Sequence, residues 1–362
     1  MRDLAQYGVS GLASGSVYAL IALGIVLIYK TSDSLNFAQA EMGMVSAFVA
    51  FSVVNGIPLT FLGIGLVVPQ GNLAIGVVVA LLFSVLFGLA AERFLIRPLR
   101  EQSGINAVVG VVGLFAIFYA IAGAVTHVFS IQTAIAAALV AIPTGWLVGK
   151  RRLGASRHSI AARLMTVTLG LDLIVIGVAG LVWGYDTKSF PEILSGPPVT
   201  LASVAIGLQN VTIAFTSLLL MLTLFLFFRF TKTGLAMRAT ASNRVAAGLM
   251  GINVGSVSMI SWGLGSFLAA VGGILTAPVQ LLDPYFMTLI GIKAFAAAVL
   301  GGLTSLPGAV AGGLLLGIAE NLVGGYLANE LKVVFPFVLI VATLTLRPDG
   351  LFGAIHRWKL QQ

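Results

Sequence analysis

The residues able to do chemistry are few, and they sit in apolar surroundings. Asp172 falls near the middle of an apolar run, and Glu320 and Lys293 lie inside two others. An ionised carboxylate at a bilayer centre costs about 2.5–3.5 kcal/mol on insertion scales, so Asp172 must face protein or water, or be protonated. Asp172 and Glu320 are therefore candidates for a translocation pathway. For Asp172 the alternative is a structural hydrogen-bond node, and for Glu320 a helix interface. Lys293 can snorkel or serve packing. Residues 30–41 join the first two apolar runs and add Asn36 and Glu41 to the pathway candidates. Asn36 can cap the following helix and turn its positive end toward an anionic group. An ordinary turn is the alternative.

Other chemistries are absent from the chain. It has no Cys, so it holds no disulfide or thiolate metal site. Its three His residues, 127, 158 and 356, have no metal-ligand spacing. The Gly149-Lys150 pair is followed by Arg151, and Thr144 stands where a Walker A loop needs its first Gly. The chain is not a P-loop ATPase and no catalytic constellation marks it as an enzyme. No cofactor site is expected.

These residues must be positioned by membrane-spanning helices. Of 362 residues, 59% are hydrophobic and 9% charged, with a mean hydropathy of +1.06. A soluble domain has about 25% charged residues. The fold class is an all-α polytopic membrane protein in a lipid bilayer. Apolar runs at 8–29, 41–54, 72–91, 106–126, 131–149, 160–183, 210–230, 256–276, 286–302, 308–327 and 333–346 predict about eleven spans. Residues 56–71 contain two prolines and are expected to re-enter the membrane or lie outside it. With the N-terminus outside and the C-terminus cytoplasmic, sixteen Lys and Arg fall on the cytoplasmic side and three outside, with Lys293 within a span. The net charge of +8 is thus an orientation signal, and no nucleic-acid partner is needed.

Residues 231–254 are the longest polar interval between two membrane-length runs. They carry Lys232, Arg238 and Arg244 and no acid. Ser242 or Asn243 can cap a short helix over 244–250, and Gly251 can end it in the left-handed conformation. Such a helix is too short to span. It is either a solvated loop or a docking element for a soluble partner.

Here the chain resembles the branched-chain amino-acid ABC-importer permease family. GLAMRATASNRVAAGLMGIN, at 234–253, is similar to that family's coupling loop, although the family usually has Glu where this chain has Val245. GSVYALIALGIVLIY with LNFAQAEMGM, ERFLIRPLR, LVWGYDTKSFP, GIKAFAAAVLGGLTSLPGAVAGGLLLGIAE and RPDGLFG follow in the family's order. Gln39 and Ala40 depart from the family's NFAHG pattern.

The resemblance implies an ATP-driven importer of branched-chain or related amino acids, in a prokaryotic inner or plasma membrane. It implies alternating access with a homologous second permease, two cytoplasmic ATPases that consume the ATP, and an extracytoplasmic substrate-binding protein. Gly234, Arg238, Arg244, Ala246, Ala247 and Gly251 would couple to the ATPase. Urea and short amides are alternative substrates, and an ion-coupled secondary carrier is the alternative mechanism. The match divides the chain into an N-terminal segment, 1–102, an inserted pair of spans, 103–159, and a C-terminal segment, 160–362, all in one integrated membrane domain. The small-residue spacing of Gly308, Gly312, Gly313 and Gly317 predicts close helix packing.

Overall fold

A computed structural model describes residues 2–55, 59–61, 64–66, 72–100, 157–201 and 204–353. The inserted pair, 103–159, lies almost wholly outside the described residues. The helices are α1 (Arg2–Ser32), α2 (Gln39–Val54), α3 (Leu73–Ala90), α4 (Arg97–Arg100), α5 (Arg157–Trp183) and α6 (Leu208–Phe230). They continue with α7 (Lys232–Ser242), α8 (Arg244–Leu249), α9 (Val254–Gln280), α10 (Thr288–Gly301), α11 (Leu306–Tyr326) and α12 (Leu331–Leu346). Six described segments are long and apolar enough to cross a membrane: α1, α3 with α4, α5, α6, α9 and α11. Three shorter apolar helices, α2, α10 and α12, complete the set.

Two short hairpins interrupt the helical pattern. β1 (Leu59–Phe61) pairs antiparallel with β2 (Ile64–Leu66), and β3 (Val199–Leu201) with β4 (Val204–Ile206). The first lies within 56–71, where the sequence suggested a re-entrant or external segment.

The basic segment from Glu92 to Arg100 is helical throughout. α3 continues through a π-helical turn, Ala91–Ile96, into α4. The π turn brings Arg97 within 3.4 Å and Arg100 within 4.0 Å of the Glu92 carboxylate, which is fully buried.

α1 is the central helix. It packs along α11, α9 and α10, and small residues set the distance to α11. A Cβ on Gly15 would lie 2.8 Å from the Gly313 carbonyl oxygen, and one on Gly317 would collide with the Gly15 backbone. The stripe predicted at Gly308, Gly312, Gly313 and Gly317 therefore packs within this chain. Gly308 and Gly312 meet the Gly301 backbone of α10. One apolar core runs through α1, α2, α3, α5, α9, α10 and α11, with Trp262 and Phe48 among its fully buried side chains.

α2 is buried along nearly its whole length. Its sixteen residues reach about 24 Å, short of a 30 Å hydrocarbon core, so it is sheathed by other helices. α5 covers one side. Trp183 stacks on Phe48 at 5.0 Å and donates to Ser52 Oγ at 2.7 Å. Thr168 donates to the Leu35 carbonyl at 3.1 Å.

Contacts group the connections at two ends. Tyr7 meets Tyr326 at the start of α1 and the finish of α11. Lys188 pairs with Leu282 through two 2.8 Å backbone bonds, and Tyr185 stacks on Tyr285. At the other end, Leu351 bonds to Leu300, and α7 and α8 sit beside the finish of α1.

Candidate functional site

Residues 231–254 form two short helices joined at Asn243. The Thr231 hydroxyl accepts from the Gly234 N–H at 3.0 Å and starts α7. Asn243, rather than Ser242, caps α8, with its Oδ1 accepting from the N–H groups of Val245 and Ala246, each at 3.0 Å. Gly251 ends α8 with φ +85°. The Ile252 N–H bonds to the Ala247 carbonyl and the Gly251 N–H to the Gly248 carbonyl, both at 3.0 Å, which together make a Schellman ending. Asn253 then caps α9 through the Ser256 N–H.

A small second core holds this element against the bundle. Met237 of α7, Leu27 of α1 and Val257 of α9 bury one another, with Phe227, Ile252 and Leu306 at the edge. Gly234 is buried where α7 turns back on the Phe227–Phe228 backbone. Ala247 is also buried against its own chain. Ala246 and Arg238 are exposed. Among the described residues, the most exposed apolar side chains are ones that the sequence did not single out: Leu249 is 85% and Met250 83% exposed, and Val245 of α8 and Leu235 of α7 are exposed too. Two consecutive large apolar residues just before Gly251, in an otherwise polar interval, were the available signal.

Arg244 points inward. Its Nη1 donates to the Thr31 carbonyl oxygen at 2.8 Å. Burial lowers its pKa from the ordinary value, opposed by the charges of Asp33 and Glu92.

The buried polar residues fall into two groups. Glu41, 3% exposed in the first turn of α2, meets half-buried Asp172 of α5, and their side chains are within hydrogen-bonding reach. Asp172 follows Thr168 by one turn, and the pair shares the helix face that continues through Val175, Ala179 and Trp183 onto α2.

The second group is Lys293 of α10 and Glu320 of α11, with Nζ and Oε1 2.6 Å apart and the Tyr18 ring 5.6 Å from Nζ. Lys293 is buried, so it does not snorkel. The carboxylate across the helix interface holds it inside.

Asn36 does not cap α2. The N-cap position is Ala38, without a side-chain cap. Asn36 Nδ2 instead donates to Gln39 Oε1 at 3.0 Å, and Gln39 Nε2 donates to the Gly265 carbonyl at 2.7 Å. Gln39, a departure from the family pattern, thus ties the start of α2 to α9. Gly24 of α1 makes room for this bond, since a Cβ there would collide with Gln39 Nε2.

Comparison with known proteins agrees with this architecture. The family model described as "Branched-chain amino acid transport system / permease component" matches residues 8–133 and 104–344. The chain is 30% identical over 346 residues to the high-affinity branched-chain amino acid transport system permease protein LivH of Escherichia coli K12, covering 95% of this chain and 94% of that one. It is 30% identical over 353 residues to the permease protein BraD of Pseudomonas aeruginosa, covering 96% and 95%. It is 29% identical over 379 residues to the probable permease protein LivH of Methanocaldococcus jannaschii, covering 99% and 96%. With its apolar helices, its buried polar pairs and a family match along nearly its whole length, the chain belongs to the branched-chain amino acid transport permease family.

Proposed function

We infer that this chain is the transmembrane permease subunit of an ATP-driven importer of branched-chain amino acids. The observation that carries this reading is the 30% identity over 95% of the chain to LivH, a branched-chain amino acid permease. The exposed apolar tip of α8 supports it, because consecutive water-facing Leu249 and Met250 suit a docking contact better than a solvated loop.

On this reading the chain pairs with a homologous second permease in a prokaryotic inner membrane. It crosses about eleven times, with its N-terminus outside. Two cytoplasmic ATPases bind residues 231–254 and hydrolyse the ATP. A substrate-binding protein delivers the amino acid to the opposite face. Arg238, Ala246, Leu249 and Met250 form the contact with the ATPase. Gly234, Ala247 and Gly251 shape the element from behind. Glu41 and Asp172 belong to the pathway, while Asn36 and Glu320 hold helices together.

The test is reconstitution of the permease pair in proteoliposomes. Uptake of leucine, isoleucine or valine should require ATP, the ATPases and the binding protein. Uptake by the permeases alone, driven by a proton or sodium gradient, would establish an ion-coupled carrier instead.

A further inference from the structure

The end of α1 is held in an unusual way. A helix leaves its last carbonyls without intrahelical partners. The hydroxyls of Thr31 and Ser32 bond back to Leu27 and Ile28 of the preceding turn and leave their own carbonyls free. Two guanidinium groups from distant segments take those carbonyls. Arg244 of α8 donates to Thr31 O at 2.8 Å, across 213 residues of sequence. Arg100 of α4 donates to Ser32 O at 3.4 Å and to Ser258 Oγ of α9 at 3.3 Å. Positive charge at this end also complements the helix dipole.

The two arginines are anchored differently. Arg100 is braced by buried Glu92, which also pairs with Arg97. It belongs to the membrane bundle. Arg244 is the first residue of α8, the short helix whose other end exposes Leu249 and Met250. Beyond Ser32 the chain turns at once, with Asp33 in the left-handed region at φ +51°. It then passes Asn36 and Gln39 and enters α2, which carries Glu41.

We propose that Arg244 is a positioning residue that links movement of α8 to the end of α1, and through the 33–38 turn to α2, without itself touching the ATPase. The link rests on the reading of residues 231–254 as the ATPase-docking element. It assigns the arginine a role inside the chain. Met237 packing on Leu27 gives α7 a second hold on the same helix, but an apolar contact can slide. A charge-assisted hydrogen bond to one carbonyl has a fixed partner and direction.

The experiment uses the full complex in proteoliposomes, with Arg244→Gln and Arg244→Lys. Three quantities are measured: bound ATPase, ATP hydrolysis, and amino acid taken up per ATP. Arg244→Gln should bind ATPase and hydrolyse ATP, while uptake per ATP falls about tenfold or more, within the 5–150-fold span of ordinary coupling free energies. Arg244→Lys keeps a charged donor toward Thr31 O and should give an intermediate ratio. A wild-type ratio in Arg244→Gln overturns the link. Loss of ATPase binding also overturns it, since Arg244 would then be a docking contact. If Arg244→Gln fails to accumulate, Arg244→Lys decides by the same criteria: an intermediate ratio with ATPase bound supports the link, and a wild-type ratio or lost binding overturns it. Failure of the docking reading itself shows separately, as normal ATPase binding by a Leu249→Asp, Met250→Asp chain.

Discussion

Lys293 Nζ and Glu320 Oε1 lie 2.6 Å apart in the contact between α10 and α11, with both residues buried. Removing one partner leaves the other as an uncompensated buried charge, which costs about 3–5 kcal/mol. Lys293→Met should therefore lower the thermal unfolding midpoint of the purified protein sharply. The double change Lys293→Met, Glu320→Met should recover most of that loss, because an apolar pair of similar volume removes the stranded charge. Equal losses in the single and double variants would show that the two side chains are not energetically coupled.

The contact between α1 and α11 has no room for a side chain at Gly317, where a Cβ would collide with the Gly15 backbone. Gly317→Val should lower stability by about 1–3 kcal/mol or more through overpacking. Among the described residues, no atom lies within 4 Å of a Cβ placed on Gly177 of α5. Gly177→Ala should leave the unfolding midpoint unchanged or slightly raised. Comparable losses from the two substitutions would argue against the close packing of α1 on α11.

The tip of α8 separates docking from folding. Leu249→Asp and Met250→Asp alter only exposed side chains. They should leave membrane abundance and pairing of the permeases intact while abolishing ATPase binding in co-purification. Gly251→Val forces a β-branched residue into φ +85°, a strain of order 1–3 kcal/mol, and should misdirect α8 with a similar loss of binding. Ala247→Glu differs, since Ala247 is buried against its own chain. It should detach the element from the bundle and raise the proteolytic sensitivity of residues 231–254.

Glu41 and Asp172 can be tested without changing shape. Glu41→Gln and Asp172→Asn each remove an ionisable group from a pair within hydrogen-bonding reach. Uptake should fall about tenfold or more in either variant, by the usual scale of one general acid–base or binding group, with ATPase assembly normal. Wild-type uptake in both would remove the pair from the pathway.

Orientation is open to direct labelling because the chain has no Cys. Ser195 and Ser242 are both exposed, Ser195 in the 184–207 connection and Ser242 at the finish of α7. In intact cells an impermeant thiol reagent should label Ser195→Cys and spare Ser242→Cys. The reverse pattern would place residues 231–254 on the outer face and exclude ATPase docking there.

The helical class and, among the described residues, the positions of the apolar runs were legible from the sequence because a bilayer demands about twenty apolar residues per spanning helix. A cap at Ser242 or Asn243 and the left-handed Gly251 were legible too, because both are local backbone requirements, and the structure chose Asn243. So was the small-residue stripe on α11, although its partner was not.

Partnerships across the bundle had no local signal. Lys293 and Glu320 are 27 residues apart, and Arg244 and Thr31 are 213 apart. Hydropathy alone left Lys293 free to snorkel. Only the packing of helices distant in sequence decided which cation meets Glu320 and which closes the end of α1. A buried charge takes its meaning from the opposite charge or carbonyl brought within about 4 Å of it, and that distance is set by the tertiary fold.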